Sequence, residues 1–201
     1  MRIVALPLAL LAGAALAAPA QADETDLYCP AAKVLADDAA GDQRFFVAPT
    51  SGNLDVTKVA VQSTAAGSGR VILTIPTLDT TVPPYATGLS WYFEYTVNGS
   101  ARFVEATLNS DGTVAYGTGA DAQSYTSEGA TAGTYTTGSP GRIVIDIPDV
   151  FWGDQISTLR VASYHQVGTA LAAFLAGGDT VTIAGTHTFK DCAVPQEEEP
   201  V

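Results

Sequence analysis

Two cysteines, two histidines and nine basic residues are all that a chain of 201 residues offers to thiol, imidazole and polyanion chemistry. No C-x-x-C pair occurs, which removes the usual redox and zinc arrangements. The nucleophile elbow G-x-S-x-G, the H-E-x-x-H zinc helix, the P-loop and the dinucleotide fingerprint are also absent. His165 and His187 sit among Ser, Thr and Tyr with no nucleophile or further ligand at a useful spacing. Positive charge is scarce and scattered, and the formal net charge is −12. Such a chain repels phosphate backbones, which argues against nucleic acid as a partner. Long apolar runs are missing too. The first, residues 3–18, falls short of the ~20 residues that cross a bilayer, and residues 170–176 are fewer still.

The N-terminus carries a different signal. Met1-Arg2, the apolar run and Pro19-Ala20-Gln21-Ala22 follow the order of a secretory n-region, h-region and A-x-A cleavage site. Residues 1–22 are therefore expected to be removed as a signal peptide, giving a secreted, periplasmic or cell-surface protein with no membrane span in the mature chain. Cleavage leaves 179 residues and takes away Arg2, moving the net charge from −12 to −13. That length suits one domain, expected over 23–193, with 194–201 as a disordered acidic tail that has nothing to bury. Cys29 and Cys192 stand near the two mature ends, and in an oxidising compartment they are expected to form one disulfide. Closing so long a loop restricts the unfolded chain by on the order of 5 kcal/mol.

Between the cysteines, apolar residues alternate at period two, interrupted at short intervals by Gly, Pro, Asn, Asp and Ser. The pattern predicts an all-β fold, a single antiparallel β-sandwich of jelly-roll-like type. Strands are expected near 54–62, 70–75, 89–97, 101–108, 113–117, 133–137, 142–147, 157–167 and 180–189. The Gly-, Ala-, Ser- and Thr-rich residues 118–138 are expected to hold a mobile loop and an edge strand. Asn98-Gly99 divides two alternating runs, and both residues tolerate the positive φ angles of a two-residue type I′ turn. The turn also accounts for Asn98-Gly99-Ser100, which matches a glycosylation sequon. Pairing Val97 with Ser100 puts Trp91, Phe93, Tyr95 and Val97 on the core face with Val104, Ala106 and Leu108. The opposite face carries Tyr92, Glu94, Phe103 and Glu105, two aromatics beside two carboxylates.

That second face gives the candidate contact residues, Tyr92, Glu94, Phe103 and Glu105, joined by Trp152 from the Pro148-to-Gly153 connection. Aromatic faces stack on sugar rings or fill protein interfaces. Glu94 and Glu105 lie diagonally across one face, roughly 7–8 Å apart at the backbone, so their carboxyl groups can approach the spacing of a glycosidase pair. A second candidate is acidic. Asp38 and Asp42 flank Gly41, and Asp55 heads the next strand, an oxygen-rich set suited to a calcium ion with six to eight ligands.

The order Asp38-Ala39-Ala40-Gly41-Asp42, Leu54-Asp55-Val56-Thr57-Lys58-Val59, Gly88-Leu89-Ser90-Trp91-Tyr92-Phe93 and Gly153-Asp154 resembles exported β-sandwich modules of the DOMON type, related to family-nine carbohydrate-binding domains. The resemblance implies a non-catalytic sandwich, often with a structural calcium, that binds sugars or attaches at the cell surface. Two departures accompany it: no enzyme domain is expected beside the module, and Trp91 is assigned to the core rather than to a sugar clamp. The expected function is a secreted, non-catalytic binding or surface-interaction module, with an extracellular glycan or cell-surface protein as partner. The alternative is a small glycoside hydrolase using Glu94 and Glu105.

Overall fold

The structure, a computed structural model, describes residues 29–42, 51–120, 125–167 and 178–193. The expected signal peptide, the apolar residues 170–176 and the acidic tail lie outside the described residues. In chain order the strands are β1 (Lys33–Asp37), β2 (Lys58–Ser63), β3 (Ser68–Ile75), β4 (Gly88–Val97), β5 (Ser100–Asn109) and β6 (Val114–Ala120). There follow β7 (Gly129–Ala130), β8 (Gly133–Thr136), β9 (Gly141–Phe151), β10 (Gln155–Gln166), β11 (Gly178–Ile183) and β12 (His187–Thr188). One sheet has the order β1-β2-β3-β9-β8, the other β11-β10-β4-β5-β6-β7 with β12 also paired to β10, and every pairing is antiparallel. The two sheets pack face to face as a β-sandwich, closed by the disulfide Cys29–Cys192 across 163 positions of sequence. Among the described residues no helix is long and apolar enough to cross a membrane.

The core follows from period-two alternation. Val71, Leu73 and Ile75 of β3 face Ile143, Ile145 and Ile147 of β9 along one inner sheet surface, and all are fully buried. Against them lie Leu89, Trp91, Phe93 and Tyr95 of β4 with Val104, Ala106 and Leu108 of β5. Each fully buried aliphatic or aromatic side chain contributes about 1.5–3 kcal/mol relative to an exposed one. The hairpin has the expected register, Val97 opposite Ser100 and Trp91 opposite Ala106, with Asn98 and Gly99 at φ 50° and 78°.

Local chemistry accounts for two departures. The strand expected from residue 54 starts at Lys58, because Gly52–Leu54 forms a 3-10 turn held by Trp91 Nε1 donating to Asn53 O at 3.0 Å. The run expected over 180–189 breaks into β11 and β12 around Gly185, whose φ is 89°. Residues 118–138 supply the end of β6 and then β7 and β8, each the last strand of its sheet, so this stretch crosses from one layer to the other. β1 was not legible in the pattern: its sequence KVLAD does not alternate and Val34 is exposed.

A bulge in β10 decides which of its side chains point outward. Between Ser157 and Arg160 one extra residue is accommodated, with Thr158 at φ 51°. The insertion resets the alternation, so that Ile156 and Leu159 both reach the core and Arg160 lies opposite Glu94 on the outer face.

Candidate functional site

The 3-10 turn before β2 organises the acidic site. Asn53 is clamped by Asp79, donating from Nδ2 to Asp79 Oδ1 at 2.9 Å and accepting from Asp79 N at 2.8 Å. Ser163 Oγ, buried on β10, donates to Leu54 O at 2.6 Å and accepts from Asp179 N at 3.2 Å. These bonds fix Asp55 and Val56 beside the start of β11. Asp179 accepts from Val56 N at 2.9 Å and from Thr180 N at 2.6 Å.

The loop after β1 closes over this point. Asp38 N donates to Thr57 O at 2.8 Å, and Gly41, at φ 82°, turns its N–H onto Asp55 Oδ2 at 2.9 Å. The turn brings Asp38 and Asp42 to Asp179, with one carboxylate oxygen from each within 4.8 Å of the others. Burial, with Asp38 and Asp42 adding to it, pushes the Asp179 carboxyl up to about 6, against the two backbone N–H groups that favour its charge. Beneath the same turn Asp55 is only 6% exposed, and its Oδ1 has no hydrogen-bond partner among the described residues. A buried carboxylate oxygen without a donor costs on the order of 1–3 kcal/mol or more, a cost that a water, a proton or a cation would offset. Two oxygens on one calcium at 2.3–2.6 Å lie at most roughly 5 Å apart, a limit that the Asp38, Asp42 and Asp179 oxygens meet.

Sequence reasoning named Asp38, Asp42 and Asp55 but missed Asp179, which lies far along the chain. The expected ligand Asp55 is corrected: it ends the 3-10 turn instead of heading a strand, accepts from Gly41 N through Oδ2, and is not one of the three carboxylates that converge. Only the tertiary structure reveals that this turn adjoins the start of β11.

The aromatic face of the hairpin is closed. Tyr92 is 4% exposed and Phe103 fully buried, beneath rings that come from elsewhere in the chain. Tyr164 of β10 stacks on Tyr92 with centroids 5.2 Å apart, and Tyr125 lies 4.2 Å from Tyr92 on the way from β6 to β7. The Tyr125 hydroxyl donates to Glu94 Oε1, and Arg160 Nη1 stands 3.6 Å from Glu94 Oε2. Burial raises the Tyr125 hydroxyl well above its ordinary range, as does its bond to Glu94, so it stays a donor. Glycine permits the covering segment to lie this close. A Cβ on Gly117 would stand 2.5 Å from Glu105 Oε1 and 2.7 Å from Ser127 Oγ, and one on Gly119 would stand 2.5 Å from Thr126 O.

The contact face expected from Tyr92 and Phe103 is thus corrected: both rings are packed inside an aromatic cluster and present no flat surface to a partner. Glu94, 9% exposed, serves as acceptor for Tyr125 and ion-pair partner of Arg160. Glu105 lies against β6 on the same covered face. Trp152 is half-buried and donates from Nε1 to Thr64 O at 3.1 Å, fastening the β2–β3 turn. Neither Tyr125, in a Gly- and Ser-rich stretch, nor Tyr164 announced itself as a cover, because both act through long-range pairing.

Comparison with protein-family models, curated proteins and solved structures finds no match to this chain.

Proposed function

We propose that this chain is an exported, non-catalytic β-sandwich module that acts by binding at the cell exterior, with a calcium ion setting its Asp38–Asp42 loop. The observation that carries the reading is the convergence of Asp38, Asp42 and Asp179, with one carboxylate oxygen from each within 4.8 Å of the others. All the donors are hard oxygens, the set that calcium takes, and backbone carbonyls and water would complete its shell. The terminal disulfide supports an oxidising destination, as does the signal-like N-terminus. The covered aromatic face supports the non-catalytic reading, since a glycosidase pair needs a sugar and a water between its carboxylates. Glu94 is instead committed to Tyr125 and Arg160. The DOMON-like resemblance implies the same class of module.

The test is calcium titration of metal-stripped protein, read by calorimetry and by thermal unfolding. Stoichiometric binding with a raised melting temperature is expected. Identical melting curves in calcium and in chelator would remove the basis of the proposal.

A further inference from the structure

A groove of about 510 Å³ opens at the other end of β1 and β11 from the acidic loop. Lys33 at the start of β1, and His187 and Lys190 around β12, line it with Gln62, Thr186 and Thr188. Lysine is rare in this protein, only three in the sequence, and two of them meet here from positions 157 residues apart. The Cys29–Cys192 disulfide brings their segments together, with Cα atoms 4.2 Å apart.

Lys58, Arg70, Arg102 and Arg160 each pair with a carboxylate, whereas Lys33, Lys190 and the distant Arg142 of β9 enter no ion pair among the described residues, and two of these three lie in the groove. Among the described residues no carboxylate lines the groove; Asp191, next to Lys190, is exposed and outside it. His187 is half-buried, set edge-on to the buried Phe189 at 4.8 Å between ring centroids. Desolvation lowers its basicity first, and Lys33 and Lys190, which line the same groove, lower it further.

We propose that this groove binds a small hydroxylated carboxylate, the two ammonium groups taking its carboxylate and the amide and hydroxyl lining its hydroxyls. The smallness follows from electrostatics: a polyanion meets a protein of net charge −12, while a short ligand senses the local positive field within a Debye length of about 8 Å. The hydroxyl requirement follows from Gln62, Thr186 and Thr188, neutral groups that add little to a bare anion. Gln62 Nε2 donates to Pro30 O at 3.3 Å and Thr188 Oγ1 accepts from Gln155 at 3.4 Å, which leaves the Gln62 carbonyl oxygen, the Thr188 O–H and the Thr186 hydroxyl for a polyol. The inference rests on reading the chain as a binding module and is independent of the calcium site.

The experiment follows the His187 imidazole proton by NMR near pH 6 at constant ionic strength, assigned with His187→Gln, while glucuronate, glucose or acetate is added. A bound carboxylate favours the imidazolium, so glucuronate is expected to give a saturable downfield shift. Glucose should give none, and acetate should bind several-fold more weakly. Lys33→Gln and Lys190→Gln, both exposed, should each weaken glucuronate by roughly three- to tenfold. No saturable shift, an equal response to acetate or glucose, or unchanged affinity in both lysine variants would overturn the proposal. Calcium-dependent unfolding measured on the same samples separates this failure from that of the calcium module: an intact calcium response with no anion response sinks the groove alone.

Discussion

Replacing Asp42 by Asn takes one negative charge from the acidic turn while keeping its size, and Asp42 is exposed, so the fold should survive. If calcium binds only the native state, raising it to ~100 times its dissociation constant stabilises the wild type by about 2.7 kcal/mol. With a urea slope of roughly 2–3 kcal/mol per molar, the midpoint moves up by about 1 M. Loss of one of the ligating carboxylates that meet within 4.8 Å should weaken binding by tenfold or more. At the same calcium concentration the gain then falls to about 1.4 kcal/mol or below. The chelated proteins should show the opposite ordering. Two like charges at 4.8 Å repel by about 1 kcal/mol even at the dielectric of water, so metal-free Asp42→Asn should be at least as stable as metal-free wild type. Urea unfolding followed by tryptophan fluorescence, in calcium and in chelator, reads all four states. Equal calcium gains in both proteins, or a chelated variant clearly weaker than chelated wild type, would refute the reasoning.

Other outcomes test separate parts of the structure. No turnover of polysaccharide or aryl glycosides is expected; robust hydrolysis abolished by both Glu94→Gln and Glu105→Gln would replace the binding reading with the hydrolase one. The doubly substituted Cys29→Ser/Cys192→Ser protein should lose about 2–5 kcal/mol in urea unfolding, because a closure of 163 positions restrains nearly the whole unfolded chain. A loss below about 1 kcal/mol would mean that the unfolded ensemble is already restrained without the bridge. His187 is less basic folded than unfolded, so as pH falls the unfolded chain takes up its proton first. Its contribution is complete above its unfolded value of about 6.5 and declines as pH drops below that. Urea midpoints from pH 7.5 to 5.5 should therefore fall more steeply in wild type than in His187→Gln, and parallel slopes would contradict the burial of this ring.

Alternation alone was enough for the layers. Apolar residues on one side of β3, β4, β5 and β9 leave a two-sheet sandwich as the way to bury them, and Asn98-Gly99 sets the hairpin register because few residues accept those backbone angles. The disulfide too could be inferred from two cysteines near the chain ends. What sequence could not reach was every feature made by non-local pairing. Asp38 and Asp42 were legible as an acidic turn, but Asp179 joins them only because the β11 edge passes beside β1 and the 3-10 turn. Tyr92 and Phe103 read as an open aromatic face, since alternation tells inward from outward but not what another strand lays on top. Tyr164 arrives through a bulged pairing, and Tyr125 from between β6 and β7, a covering that two glycines admit. Periodicity is a property of one strand and its two faces. Which distant residues meet on a face depends on strand order and register, and those are decided only when the sheets close.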